Sequence, residues 1–422
     1  MARIKISQGR IIDPDGAFDQ ISDLYIAEGH IAGLAQAPES YTADIEIDAS
    51  GCVVCPGFVD LNARLCEPGY TRKADIKSET RAAARAGMTR LCVPPDTRPV
   101  VDTMAVVELI RDKARQAGFR QVYPIGALTQ GLQGAELSAM FSLRQAGCLA
   151  VSNAQYPLNS LLVLHRAMQY AATHDLLLVY QPQEYSLSYQ GCVHDGVMAA
   201  HYGLPCIPET AETIALAQCL ELVRKNGCRV HFSQISSARS VELLRQAKDG
   251  GLPVSADVAM HQLHLCEQDM IPFDSAYHVN PPLRSAEDRQ ALRLAVREGV
   301  IDAICSAHQP HDIDAKLGAF PETEAGISAL ETVLPLMLRL VTENVLSLSR
   351  GLQLISSCPA SVFGLSQGSL KPGSPADICI FDPPGNWRID RHNWLSRGPN
   401  TPFWGQQMTG KVTHTLQSGK II

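Results

Sequence analysis

An α/β fold, a (β/α)8 barrel of the TIM type carrying a small β-sandwich built from both ends of the chain, is the class this sequence predicts. Three observations lead there. The middle of the chain alternates short apolar runs with stretches of helical spacing, eight times over. Both ends alternate in strand fashion between turn residues. No glycine-rich dinucleotide turn follows the first run, which counts against the alternative of a doubly wound open sheet.

From Ile4 to about Val54 the strand-like pieces are Ile11-Ile12, Leu24-Tyr25-Ile26, Ile31 to Leu34 and Ile45-Glu46-Ile47, divided by Gly and Asp turn signals. Ala376 to Phe381 and Val412 to Ile422 have the same character, so the two ends are expected to pair. The division predicted is 1–54 and 366–422 for the β-sandwich and 55–365 for the barrel. Barrel strands are expected at Val53–Leu61, Arg90–Val93, Val122–Ala127, Cys148–Val151, Leu176–Tyr180, Arg229–Phe232, Pro253–Val258 and Ile301–Cys305. Amphipathic helices are expected at Ser78–Ala86, Met104–Ala117, Ser160–Thr173, Ala211–Lys225 and Ala238–Lys248. The most apolar stretch, Ile327 to Leu346, is broken by Glu331, Arg339 and Glu343 and reads as a buried helix, not a membrane span.

Bulk composition narrows the function classes. A formal net charge of -7 argues against nucleic acid or an anionic membrane as the main partner. The first residues lack the apolar core of a secretory signal, so a cytoplasmic location is expected. The cysteines form no framework, and Cys52-x-x-Cys55 has no second pair; these thiols are expected as small core residues in a reducing compartment.

In a barrel of this kind chemistry sits at the C-terminal ends of the strands. Those ends carry Asn62 and Arg64, Pro95 and Asp96, Asn153 and Ala154, Pro182 to Glu184, Gln234, His261, and Ala307 with His308.

Over nearly its whole length the chain resembles the dihydroorotase family of the amidohydrolase superfamily. The resemblance rests on Pro56-Gly57-Phe58-Val59-Asp60-Leu61, Glu67-Pro68-Gly69, Glu79 to Ala84, and His278-Val279-Asn280-Pro281-Pro282-Leu283-Arg284. Ala329 to Pro335, Cys358-Pro359-Ala360 and Asn400-Thr401-Pro402-Phe403 add to it. Active members place zinc ligands at positions that here are Asn62, Arg64, Asn153, Pro182 and Gln234, and a ligand that is also the general base at Ala307. The resemblance thus implies a dismantled metal site, no catalytic residue and no cofactor. Amide side chains are poor zinc ligands, and the Arg64 guanidinium does not deprotonate. A unit positive charge roughly 4 Å from a dication costs about 8 kcal/mol at an effective dielectric of 20. That offsets much of the ~10–16 kcal/mol typical of a structural zinc site. Without metal, neither the ~7 pKa of zinc-bound water nor a proton donor for the leaving nitrogen is available.

The substrate side is altered as well. Cys66 stands where the family has a carboxylate-binding arginine, and Asp96 where it has an asparagine, so an anionic substrate is expected to be repelled. Asn280 and His308 are retained, the first read as a brace for the loop through Pro281-Pro282. His261-x-x-His264 and His308-x-x-His311 could suggest a replacement metal site; residues three apart on a strand face opposite sides, and ordinary hydrogen bonding is expected instead. Asp257 and Glu184 read as hydrogen-bonded scaffold, and His231 as a satisfied interior histidine. The chain is also similar to inactive members of the family that some bacteria use to build aspartate transcarbamoylase complexes. This implies the transcarbamoylase catalytic chain as partner in a hetero-dodecamer, with self-association as dimers. A cyclic-amide hydrolase with an altered metal site and a metabolite-binding sensor are the alternatives.

Overall fold

The computed structural model describes residues 2–270, 273–365 and 368–422. The domain boundary expected at position 366 lies outside the described residues. Eight parallel strands form the barrel: Phe58–Asp60, Met88–Val93, Val122–Ala127 with a break at Ile125, Ala150–Ser152, Leu177–Tyr180, Val230–Phe232, Val254–Ala259 and Ala303–Cys305. The ring closes where His308, beyond the eighth strand, bridges Ala63, beyond the first: His308 N–H donates to Asn62 O at 3.1 Å, and Arg64 N–H to His308 O at 2.9 Å. Strands buried on both faces have to be apolar almost throughout, which is why seven of the eight are legible as single runs.

One expectation fails. Val53–Leu61 is not a single strand but two, parted at Gly57. A Cβ there would lie 2.2 Å from the Thr89 methyl, so the backbone can turn against the second barrel strand only with glycine. Val53–Pro56 instead pairs antiparallel with Ile378–Phe381 and, through Val53 and Val54, parallel with Arg10 and Ile11. That pairing joins both ends of the chain into one eight-stranded sheet. The first strand of the chain, Ile4–Asp13, bulges between Ile6 and Gly9 and pairs with Ile45–Asp48 before the bulge and with Val53 and Val54 after it.

Strict alternation then sorts the side chains. Val54, Ile378 and Ile380 join Ile4, Ile6, Leu24 and Ile26 in the sandwich core. Val53, Cys55, Cys379 and Phe381 point the other way, into the barrel's outer layer. The buried ion pair Arg90–Asp377 (2.9 Å) ties the second barrel strand to the C-terminal sheet.

Helices Ile76–Arg85, Met104–Gln116, Met140–Gln145, Leu161–Thr173, Glu209–Asn226, Ala238–Asp249, Ala286–Glu298 and Leu348–Ile355 follow the eight strands in turn. The expected buried helix is shorter than its apolar stretch, Val333–Thr342. Among the described residues no helix is long and apolar enough to cross a membrane. All thirteen cysteines are free thiols.

Candidate functional site at the barrel mouth

The strand ends converge on two cavities, and a third of about 30 Å³ lies between the loops after the fourth and fifth strands, lined by Asn153, Tyr156, Gln181 and Tyr185. The inner one, about 20 Å³, lies on the barrel axis and is lined on its polar side by Asn62, Arg64, Ser152, Gln181 and Ser233. The outer one, about 150 Å³, opens beside it among Arg64, Cys66, Asp96, Tyr156 and His311.

Of the six positions expected to mark a lost metal centre, only Asn62 and Arg64 line the inner cavity. Asn153 is turned into its own loop, its Oδ1 accepting from Thr129 Oγ1 (2.7 Å) and its Nδ2 donating to Tyr156 O (3.0 Å). Gln234 holds a left-handed backbone (φ 59°) whose N–H donates to Asp257 Oδ1 at 2.7 Å. Ala307 is likewise left-handed (φ 50°) and brings no polar group. Pro182 does not reach the cavity either. Its neighbour Gln181 does, because Val179 and Gln181 share one face of the fifth strand and Tyr180 and Pro182 the other. Sequence reasoning missed Gln181; strand alternation counted from Val179 was the signal that could have found it.

Two charges weighed separately from sequence turn out to be one pair. Arg64 Nε donates to Asp96 Oδ2 at 2.8 Å, with both side chains mostly buried. Asp96 is therefore neutralised, and the expectation that it would repel an anion is corrected: the repulsion is cancelled by Arg64. Cys66 sits on the outer cavity with a left-handed backbone (φ 58°), and burial pushes its thiol up to about 12.

The retained residues serve the scaffold. His308 lines neither cavity. Its Nε2 lies 2.9 Å from Glu79 Oε2, and its Nδ1 accepts from Ala329 N–H at 3.0 Å. Burial raises the Glu79 carboxyl, but hydrogen bonds from His308, Ser396 and Ser78 outweigh it and the net direction is down. His311, not His308, faces the outer cavity; burial holds its ring down at about 4. Asn280 Nδ2 donates to Gln183 Oε1 (3.1 Å) and Asn280 O accepts from Gln155 (3.0 Å), so it braces three loops across the mouth.

The histidine pairs were misplaced on strands. His261 lies in a 3-10 turn after the seventh strand with His264 directly following, and His308 and His311 lie in the loop after the eighth. His231 is an interior histidine with both nitrogens engaged, Nε2 to Asp257 and Nδ1 to Ser255, each at 2.8 Å. Asp257 also accepts from Ser233 and Gln234, and Glu184 caps the short helix Tyr185–Ser188. The His231–Asp257 pair is fully buried and lines neither cavity.

A metal ion fits this mouth poorly. The inner cavity offers amides, hydroxyls and a guanidinium, and its one orphaned buried atom, Gln181 Nε2, is a donor. Among the described residues no group of three or more His, Cys, Asp or Glu side chains is placed to hold a metal.

The fold and the position of the site define the class: a (β/α)8 barrel with a β-sandwich, of the amidohydrolase superfamily. The solved L-hydantoinase of Arthrobacter aurescens is similar at a TM-score of 0.89 and 24% identity, covering 100% of this chain and 96% of its own. The dihydropyrimidinase of Brevibacillus agri is similar at 0.84 and 19%, covering 100% and 95%. A family model described as dihydro-orotase-like matches residues 51–240. Over 99% of this chain and 98% of the relative, a dihydroorotase-like protein of Pseudomonas putida is 49% identical. A dihydroorotase of Syntrophotalea carbinolica is 39% identical over 99% of this chain and 98% of its own. The chain belongs to the dihydroorotase-like family.

Proposed function

We propose that this chain is a non-catalytic dihydroorotase-like protein, a cytoplasmic structural subunit that assembles aspartate transcarbamoylase for pyrimidine biosynthesis. The observation that carries the reading is the Arg64–Asp96 pair. It occupies the place where active relatives need an open ring of imidazole and carboxylate donors, and it fills that place with a paired guanidinium that cannot ligate a metal. Among the described residues, no imidazole, thiol or carboxylate lines the inner cavity. The printed name of the Pseudomonas putida relative, dihydroorotase-like and not dihydroorotase, is in keeping with this.

An assembly role is supported by the surface beside the mouth. Tyr156, Leu161, Leu162, Tyr185, Leu187 and Tyr189 are exposed on the segments after the fourth and fifth strands. From Gln145 to His165 the chain has no Asp, Glu, Lys or Arg. Tyrosine enrichment with charge depletion is the composition of an interface centre.

Affinity purification from native extract without chelator tests the reading, with metal content and dihydroorotate ring-opening measured on the same sample. Transcarbamoylase activity should be retained with the chain, with substoichiometric metal and no ring-opening. Stoichiometric zinc with ring-opening would overturn it in favour of the altered-site hydrolase. A chain recovered alone, with all transcarbamoylase activity in the flow-through, would defeat the assembly role.

A further inference from the structure

We propose that the inner cavity binds a monatomic anion of chloride size, so that a position suited to a cation in the fold's metal-dependent members is here of opposite polarity. The cavity, about 20 Å³, holds roughly one water-sized sphere. Apart from Ser233, whose proton goes to Asp257, its polar lining presents donors. Gln181 is 9% exposed; its Oε1 already accepts from Gln234 Nε2 (3.5 Å), and its Nε2 has no partner. Asn62 is oriented likewise, because its Oδ1 accepts from Arg64 Nη1 (3.5 Å), which leaves Nδ2 as its free end. Ser152 Oγ accepts from Ala154 N–H (3.0 Å), so its own proton is available to donate. Arg64 spends Nε on Asp96 and retains further N–H groups.

A water here finds one clear acceptor, the Ser233 hydroxyl, in a lining whose Gln181 and Asn62 amide oxygens are already engaged. An anion only accepts, which matches what the walls offer. Three carboxylates bond to lining residues and none lines the cavity: Asp96 is held by Arg64, Asp257, behind Ser233, is saturated by His231, Ser233 and the Gln234 N–H, and Asp60 accepts from the Asn62 N–H and from Ser306. A buried donor left unpaired is destabilising, and an anion in the cavity gives Gln181 Nε2 a partner.

Crystals soaked in sodium bromide, with data collected at the bromine edge, should show an anomalous peak inside the cavity. In solution the unfolding midpoint should rise by about 2 °C when chloride replaces gluconate at constant ionic strength. Gln181→Leu should lose that rise, and Ser152→Ala, a smaller change that preserves packing, should reduce it. Comparing each variant with wild type in both salts removes the general effect of the salts on solvation. Equal midpoints in chloride and gluconate, an unchanged rise in both variants, a water only, or a bromide peak without any solution effect (binding at crystal concentration only) would each overturn the proposal. Retention of the transcarbamoylase is independent of these outcomes, so failure here leaves the assembly reading standing.

Discussion

Arg64 and Asp96 are 32 positions apart in the chain and 2.8 Å apart in space. Each changes the meaning of the other: alone, one repels a metal and the other an anionic ligand, whereas together they are a neutral wall. Arg64→Met leaves Asp96 without its counter-charge at a site where its side chain is only 14% exposed. We expect a loss of roughly 1–3 kcal/mol in urea unfolding, and a coupling of about 0.5–3 kcal/mol in the double-mutant cycle with Asp96→Asn. Zero coupling would show that the pair contributes nothing. A second residue-scale consequence concerns acid. Burial holds His261 and His311 at about 4 and His264 at about 3. Their folded values lie below the ordinary value near 6.5, so the unfolded chain takes up protons first. Stability from these groups is full above pH 6.5 and falls as pH drops toward 4. Unfolding curves at pH 7.5, 6 and 5 should show this decline, and His264→Phe should flatten it.

Elements are held to one another by a few buried polar seams. Arg90 on the second barrel strand reaches Asp377 at the start of the C-terminal sheet strand, with side chains 3% and 6% exposed. Arg90→Met strands a carboxylate in the interface between the sandwich and the barrel, at a cost of about 3–5 kcal/mol, and Asp377→Asn added to it should recover part of the loss. Chemical denaturation of the three variants checks the order; a double variant no better than the single one would contradict it. Gly87 guards the same seam: with φ at 84°, a Cβ would lie 2.5 Å from Cys379 Sγ and 2.8 Å from the Phe58 ring. Gly87→Ala therefore combines a clash with a strained backbone, and should lower the midpoint more than Gly118→Ala, where φ is 87° and no atom lies within 4 Å.

At the scale of the molecule, barrel and sandwich keep dense cores while the mouth holds small cavities walled by side chains bonded to one another. Several of its loops keep left-handed backbone without glycine, at Cys66, Ala154, Gln234 and Ala307. Such conformations cost of order 1–3 kcal/mol each and persist where the surrounding structure enforces them. What the outside of the mouth offers is the uncharged tyrosine and leucine surface. Leu162→Lys, at a position 53% exposed, should leave the unfolding midpoint within a degree of wild type yet abolish retention of the transcarbamoylase. Retention equal to wild type would move the interface elsewhere.

The order of strands and helices, the union of the two chain ends and the residue types at the strand ends were all determined by sequence, because periodicity, burial on both strand faces and side-chain chemistry are local properties. Tertiary structure alone decided that Val53–Leu61 breaks at Gly57, that Gln181 and not Pro182 faces the axis, that His308 turns away to Glu79, and that Arg64 closes on Asp96. Each of those depends on register between segments far apart in the chain. A single residue of shift reverses which face a side chain occupies, and charge at a site is a sum over neighbours that only the folded chain brings together.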